Sequence, residues 1–207
     1  MARDTRQRIL DTALALFNAD GEPNVTTNRI ADELDISPGN LHYHFRTKAH
    51  LIEALFGDFE RRMLELLAAP EDRAADIEDI WFLLHLAFET IGAYRFIYRD
   101  LSDLCDRHRG LHQRFKGILR LTMESAARLC DDLIEDGRMQ ASERELKATI
   151  RNIALVSTFW LAFDQVQDDE VRPGRAAWQV MSLLSPYLTG QTREQMQALA
   201  GQYAELD

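Results

Sequence analysis

The fold is decided by residues 25–48, which read VTTNRIADELDISPGNLHYHFRTK. Thr26 is a good helix N-cap, and Ser37 repeats the arrangement with Pro38 at the first helical position. Each cap lies between apolar residues spaced for a hydrophobic staple, Val25 with Ile30 and Ile36 with Leu41. Only residues 35–37 separate the two short helices. A three-residue turn between two short helices is the helix-turn-helix pattern.

The second helix of this pattern has two different faces. At about 100° per residue, Leu41, His44 and Phe45 share one arc, which we expect to pack on the core of the domain. The other arc offers hydrogen-bonding side chains and a glycine that permits close approach, which suits a recognition helix in a DNA major groove. This arc contains Gly39, Asn40, His42 and Tyr43.

Helix N-termini beside these residues are candidate phosphate sites. Thr47 is placed to cap the next helix, which Lys48 opens, so a phosphate there would meet both a helix N-terminus and a lysine. Thr27 and Asn28 offer a second N-terminus. Ordinary packing is the alternative for Tyr43 and His44, and for His44 we favour it. The expected DNA-contacting residues are Thr27, Asn28, Ser37, Gly39, Asn40, His42, Tyr43, Thr47 and Lys48.

Residues 26–55, TTNRIADELDISPGNLHYHFRTKAHLIEAL, resemble the DNA-binding domain of the tetracycline-repressor (TetR) family. The resemblance covers about residues 5–56 and includes the Ile-Leu-x-x-Ala-x-x-Leu-Phe rhythm of residues 9–17. It implies an all-helical homodimer with a C-terminal ligand domain, usually a repressor. Asp35 stands where the family often has glycine, and His42 stands where many members have tyrosine.

The remainder of the chain reads as further helices. Only five prolines and ten glycines interrupt 207 residues, and 46% of the residues are hydrophobic. We therefore predict an all-α protein with a three-helix helix-turn-helix domain at residues 1–50 and a larger helical ligand-binding and dimerisation domain at residues 51–207. The predicted helices lie at about 4–19, 27–34, 38–45, 48–68, 74–91, 94–107, 111–136, 143–167, 175–188 and 193–204. We expect Pro70 to end the 48–68 helix, and Ser142 with Glu145 and Thr192 with Gln195 have the spacing of capping boxes.

The charge is unevenly distributed. The net charge is −10, but the first fifty residues carry six Lys and Arg against seven Asp and Glu. The acidic excess therefore belongs to the C-terminal part, and a local basic surface at the N-terminus remains compatible with phosphate binding.

Aromatic residues are frequent in the C-terminal helices. Each is compatible with plain core packing, and as a set they are compatible with an apolar cavity for a small molecule. The candidate ligand residues are Trp81, His85, Phe88, Phe115 and Trp160. Residues 153–163 are apolar almost all round, so that helix needs cover on more than one side, and we expect it to form a dimer face with the 175–188 helix. The candidate dimer residues are Phe159, Phe163, Trp178, Met181 and Leu184.

The sequence motifs give little support to other classes of protein. The sequence lacks the common nucleotide-binding, hydrolase and metalloprotease motifs, so we expect neither an enzyme nor a cofactor. His108 and His112 are spaced as metal ligands on a helix, but Gly110 favours a loop, and we predict no metal. The charged N-terminus and the lack of a long apolar stretch predict a soluble, cytoplasmic protein with no membrane contact, in which Cys105 and Cys130 are buried, reduced thiols.

The expected function is therefore a DNA-binding transcriptional regulator that is released from a palindromic operator by an apolar or aromatic ligand. Its partners would be double-stranded DNA, a second copy of the chain and the small-molecule effector. The alternatives are a regulator that responds to no ligand and a helical metal-dependent enzyme.

Overall fold

A computed structural model describes residues 2–68, 76–167 and 172–204 of the chain, and within these residues the regular structure is helical. The predicted all-α class is confirmed. One isolated antiparallel bridge joins Met139 and Leu188. The helices are α1 (Ala2–Asp20), α2 (Thr27–Glu33), α3 (Pro38–His44), α4 (Lys48–Leu67), α5 (Ile77–Ala93), α6 (Arg95–Arg99), α7 (Leu101–Arg107), α8 (Arg109–Glu135), α9 (Glu143–Val166), α10 (Pro173–Leu184) and α11 (Gly190–Ala204).

Three local predictions about the helices were wrong. The helix expected over 94–107 is two helices, because the backbone leaves helical geometry at Asp100. Thr192 does not begin a capping box, because α11 already begins at Gly190 and Thr189 takes the cap position. Gly110 lies inside α8 and not in a loop. Pro70, predicted to end α4, and residues 74 and 75 of the predicted fifth helix lie outside the described residues.

The turn between α2 and α3 contains a left-handed residue. Asp35 has a φ of 52°, and it is the one non-glycine residue with positive φ in the described part of the chain. The Ile36 N–H then donates to the Ala31 carbonyl at 3.1 Å, which closes the turn. Aspartate tolerates this backbone better than most residues. Asp35 therefore occupies a position that is often glycine in the TetR family at a low cost in conformational free energy.

Substitutions at Asp35 should follow this backbone requirement. Asp35→Val should lower the free energy of unfolding by about 1–2 kcal/mol, because a β-branched side chain is strained at positive φ. Asp35→Gly should stay within about 0.5 kcal/mol of the parent, since relieved strain and added unfolded-state entropy oppose each other. Urea denaturation measures both changes, with Asp32→Val at an exposed position of α2 as the control. Equal stability of the two Asp35 variants would contradict the account.

The chain divides into two compact units. The first comprises residues 1–61 and 93–114, and the second comprises residues 62–92 and 115–207. In the first unit α6 packs on α1, where the Phe17 and Phe96 rings lie 5.3 Å apart. Asn18 of α1 accepts from the Phe96 N–H of α6 at 3.1 Å, and its side chain also donates at 2.8 Å to the carbonyl of Ala93, the last residue of α5. The assignment of residues 1–50 to a separate binding domain stays a prediction.

The second unit is built around α9 and α10, with α5 and α8 supplying further apolar residues. Ser142 begins α9 with the predicted capping box, in which Glu145 binds back to the Ser142 N–H at 2.8 Å. Burial, with the adjacent charge of Asp131, raises the pKa of the Cys130 thiol to about 12. Cys105 of the first unit is only half-buried, so the expectation of two buried thiols is correct for Cys130 alone.

Candidate functional site

Helix α3 has the two faces that its sequence predicts. Leu41 and Phe45 are buried, whereas His44 is half-buried and its ring lies edge-on to Tyr43 with the centroids 5.2 Å apart. The opposite face is open to solvent, and Tyr43 is 82% exposed. Gly39, Asn40 and His42 are exposed beside it. This short helix therefore presents a continuous polar surface that nothing in its own unit covers.

Side-chain caps fix the ends of the helices around this surface. Thr26 accepts from the Arg29 N–H at 3.2 Å, and Ser37 accepts from the Asn40 N–H at 3.2 Å. Thr47 accepts from the His50 N–H at 3.3 Å and so caps α4, as predicted. Asn28, Ser37 and Thr47 are exposed, and Thr27 is half-buried. The sequence-predicted contact residues thus lie on three neighbouring helix starts and on the outer face of α3.

Two arginines extend this surface. Arg46 lies two residues after the end of α3 and is exposed, and it was not among the predicted contact residues. Arg6 of α1 stacks on the ring of Phe45, with the guanidinium carbon 4.9 Å from the ring centroid. A guanidinium held on an aromatic ring keeps its N–H groups available for an oxygen ligand such as phosphate.

Lys48 is the predicted contact residue whose environment differs most from the expectation. Its ammonium lies 2.8 Å from Glu22 Oε1 and donates to the Glu22 carbonyl oxygen at 2.5 Å. The side chain of Lys48 is 26% exposed, and that of Glu22 is fully buried. Lys48 therefore has a partner inside the protein, and its contact with phosphate stays a prediction.

Glu22 lies where several helices of the first unit meet. Its Oε2 pairs with Arg107 of α7, and its N–H donates to the Asp100 carboxylate at 3.1 Å. Gly21 precedes it with a φ of +86°, and a Cβ at Gly21 would lie 3.3 Å from a guanidinium nitrogen of Arg99. No short-range sequence pattern connects residues 22 and 107, so the cluster around Glu22 was not predicted.

The charge of Glu22 is stabilised despite its burial. Burial alone would raise the pKa of this carboxyl group, but hydrogen bonds and charges from Arg107 and Lys48 outweigh it and hold the pKa below its ordinary value of 4.5. The carboxylate is therefore ionised at neutral pH, with one cation on each oxygen. Because the folded-state pKa is lowered, Glu22 stabilises the fold above the unfolded-state pKa and loses this contribution as the pH falls through the folded-state value.

Glu22→Gln should accordingly lower the free energy of unfolding by about 2 kcal/mol between roughly pH 5 and 7, because the two cations lose their counter-charge. The difference from the parent should shrink as the pH falls from 4.5 towards the lowered folded-state pKa, below which the native carboxyl group is protonated as well. Denaturation across this pH range measures it. Glu53→Gln at an exposed position of α4 is the control, and a pH-independent difference between Glu22→Gln and the parent would be the contrary result.

The candidate ligand residues all belong to the second unit. Trp81, Phe88, Phe115 and Trp160 are buried, and His85 is half-buried with Nε2 3.4 Å from a Glu89 oxygen. The structure brings Phe88 and Trp160 together edge to face, with the ring centroids 5.4 Å apart. The buried indole nitrogen of Trp160 has no hydrogen-bond partner among the described residues. A polar atom of this kind is a donor that a ligand oxygen would satisfy.

The dimer candidates divide into exposed and buried residues. Phe159 and Phe163 are 51% and 62% exposed, and Trp178 is half-buried. Met181 and Leu184 are buried by the chain's own residues, so exposure gives no support to their place at an interface. Leu155 and Val166 are exposed on the α9 face of Phe159 and Phe163, and their helical spacing could have identified them. We call Leu155, Phe159, Phe163 and Val166 the α9 stripe.

A groove of about 480 Å³ lies along part of the α9 stripe. Its wall is mostly apolar and is formed by α9 and α10, which contribute three polar side chains. It is lined by Leu155, Val156, Phe159, Trp160, Phe163, Asp164, Arg175, Ala176 and Gln179. Trp160 is the one candidate ligand residue in this lining. An exposed aromatic row beside a groove is the kind of surface that another molecule covers.

Two family models match the chain. The model described as "Bacterial regulatory proteins, tetR family" matches residues 9–55, and the TetR model described as "Bacterial transcriptional repressor" matches residues 58–196. The resemblance drawn from residues 26–55 is thereby confirmed and extended beyond the helix-turn-helix segment. No helix in the described part of the chain is long and apolar enough to cross a membrane.

Individual relatives agree with the family models. A TetR-family transcriptional regulator from Marinobacter aquaeolei VT8 is 37% identical, with a TM-score of 0.86 over 96% of this chain and 98% of that chain. The structure of the SmeT–triclosan complex is 18% identical, with a TM-score of 0.65 over 91% of this chain and 94% of that chain, and shows a similar fold. TtgW of Pseudomonas putida, an uncharacterized HTH-type transcriptional regulator, is 36% identical over 70 residues. That match spans 34% of this chain and about half (52%) of TtgW.

Proposed function

Because the chain belongs to the TetR family of bacterial transcriptional regulators, we propose that it binds a palindromic DNA operator as a homodimer and is released by a small apolar or aromatic ligand. The observation that carries the DNA-binding part is the open polar face of α3. Gly39, Asn40, His42 and Tyr43 are all exposed there, on a helix whose other face anchors it in the core.

The proposed DNA contacts divide into base and phosphate contacts. Asn40 and His42 are placed to meet base edges in the major groove, where their side chains can donate and accept hydrogen bonds. Tyr43 contacts a phosphate through its hydroxyl group. The helix N-termini capped by Ser37 and Thr47 face phosphates. Thr27, Asn28 and Lys48 lie at helix starts beside them and contact phosphates as well. Arg6 and Arg46 add positive charge at the edges of this surface.

The α9 stripe supports the homodimer. A two-fold axis would place the stripe of one copy against that of its partner, so the same four residues would be buried on both copies. The α9–α10 groove beside the stripe would then receive side chains of the partner. Two recognition helices related by that axis would read half-sites about one DNA turn, roughly 34–36 Å, apart or a multiple of this distance.

The effector site is proposed among the aromatic residues of the second unit. Trp81, Phe88, Phe115 and Trp160 would contact an apolar ligand, with the Trp160 indole N–H donating to a ligand oxygen and His85 at the polar edge. The SmeT–triclosan complex is an example of a protein of similar fold with a bound small molecule. Release from DNA requires only that the ligand bind one conformation of the dimer more tightly than another.

Sequencing genomic fragments bound by the purified protein tests the DNA-binding part. The expected result is a shared palindrome among the recovered fragments, and recovery without any shared sequence would contradict the proposal. A thermal-shift screen of aromatic compounds, followed by operator binding with each stabilising compound, tests release. If stabilising compounds leave operator affinity unchanged, the regulator responds to no ligand of this class.

The classification also bears on the other expected properties. We propose that the chain is not an enzyme, since the family consists of transcriptional regulators and the site offers a recognition surface. Bacterial transcriptional regulators meet their DNA in the cytoplasm, so we propose that this one acts there. The alternative of a ligand-independent regulator keeps the DNA surface and the dimer, and it differs only in the result of the ligand screen.

A further inference from the structure

The cluster around Glu22 connects both ends of the helix-turn-helix segment. Residues 22 and 48 bracket α2 and α3 in the sequence, and the Lys48 ammonium binds both the carboxylate and the carbonyl group of Glu22. The chain that leaves α1 and the chain that enters α4 are therefore tied at one point. The orientation of α2 and α3 depends on where this point lies.

Residues at both ends of α7 contact Glu22. Asp100, which precedes α7, accepts from the Glu22 N–H at 3.1 Å, and Arg107, the last residue of α7, pairs with the Glu22 carboxylate. Asp103, one turn earlier on the same helix, orients the guanidinium of Arg107 with two contacts of 2.8 and 2.6 Å. A displacement of α7 along its axis would therefore move Glu22, and with it Lys48.

We propose that Glu22 is a positioning residue for operator binding, which fixes the helix-turn-helix segment to α7 through Lys48, Asp100 and Arg107. The inference rests on the proposed DNA-binding function. A buried carboxylate with two cations is a weak source of stability, because apolar residues of similar size often stabilise a fold equally well. Its directional contacts instead define one geometry for three separate elements of the chain.

Variants of Arg107 test this positioning role, because Arg107 lies on α7 outside the proposed DNA contacts. Arg107→Met removes the charge and keeps most of the alkyl chain, and Arg107→Lys restores the charge. Arg120→Met is the matched control, because Arg120 is 76% exposed on α8 and its loss changes the net charge equally. Affinity is measured for the operator recovered from genomic fragments and for a scrambled duplex of the same length, at several salt concentrations.

Arg107→Met should weaken operator binding about tenfold and binding to the scrambled duplex less than about twofold, with the salt slope unchanged. Arg107→Lys should recover most of the affinity, and Arg120→Met should match the parent. The loss in Arg107→Met should also be smaller when Glu22→Gln is already present, because the two residues act through one contact. Unchanged operator affinity in Arg107→Met, or an equal loss on both duplexes, would overturn the proposal.

Amide hydrogen exchange of the free protein separates this inference from the proposed function. The amides of α3 should exchange several-fold faster in Arg107→Met than in the parent or in Arg120→Met, because the segment has lost its tie to α7. If the parent selects no DNA sequence, the proposed function fails, yet faster exchange in α3 still supports the tie. Unchanged exchange in both Arg107→Met and Glu22→Gln overturns the inference whatever the protein binds.

Discussion

Replacing Asn40 and Tyr43 together by alanine should lower operator affinity by about 100-fold or more, because each base or phosphate contact of this kind contributes about 1–3 kcal/mol. Both side chains are exposed, so the free energy of unfolding should change by less than about 0.5 kcal/mol. The salt slope should remain that of the parent, since neither side chain carries a charge that displaces a counterion.

Band-shift titration on the recovered operator measures this loss, and denaturation checks the fold. Phe82→Ala is the matched control for Tyr43→Ala, because Phe82 is an aromatic residue that is 62% exposed on α5 in the second unit. It should bind the operator as the parent does. If the Asn40 and Tyr43 variant is folded and retains full affinity, the DNA-binding surface does not lie on the open face of α3.

Replacing Phe159 and Phe163 together by aspartate should convert the protein from a dimer to a monomer. Both rings are at least half exposed within one chain, so the substitutions should leave the fold of that chain intact. In a dimer the new carboxylates would be buried against their own copies, which costs several kcal/mol through desolvation and repulsion. Operator affinity should fall by about 100-fold or more, because one half-site then binds without the second.

Sedimentation at micromolar concentration measures the oligomeric state of this variant. The control adds the same charge elsewhere, with Gln195→Asp and Gln197→Asp on exposed positions of α11, and should remain a dimer. Helicity by circular dichroism establishes that the Phe159 and Phe163 variant is folded. A folded variant that remains dimeric would place the dimer interface on another surface and leave the α9 stripe to a different partner.

The helix-turn-helix segment was predictable because its signals are local. Caps at Thr26 and Ser37, proline at the first helical position and the placement of Leu41 and Phe45 act within a few residues of one another. Such interactions depend little on distant parts of the chain, so the sequence predicted the caps, the buried face and the open face of α3. Periodicity likewise located the long helices to within a few residues.

Contacts between distant parts of the chain were not predictable in this way. The turn that follows α1 meets the end of α7 through Glu22 and Arg107, which lie 85 residues apart. No spacing rule connects them, so the sequence predicted a phosphate contact for Lys48 and gave no sign of its internal partner Glu22. The same limit applies to α10, where apolar periodicity cannot separate the buried Met181 from a residue that faces another chain.

The sequence by itself determined the all-α class, the helix-turn-helix segment and the family, since these follow from local propensity, capping and a motif of about fifty residues. Only the tertiary structure decided which apolar residues the chain covers for itself and which it leaves open in the α9 stripe. It also decided that Glu22 is buried between Lys48 and Arg107. Burial and ion pairing depend on which distant elements pack together, and one sequence carries no direct record of that packing.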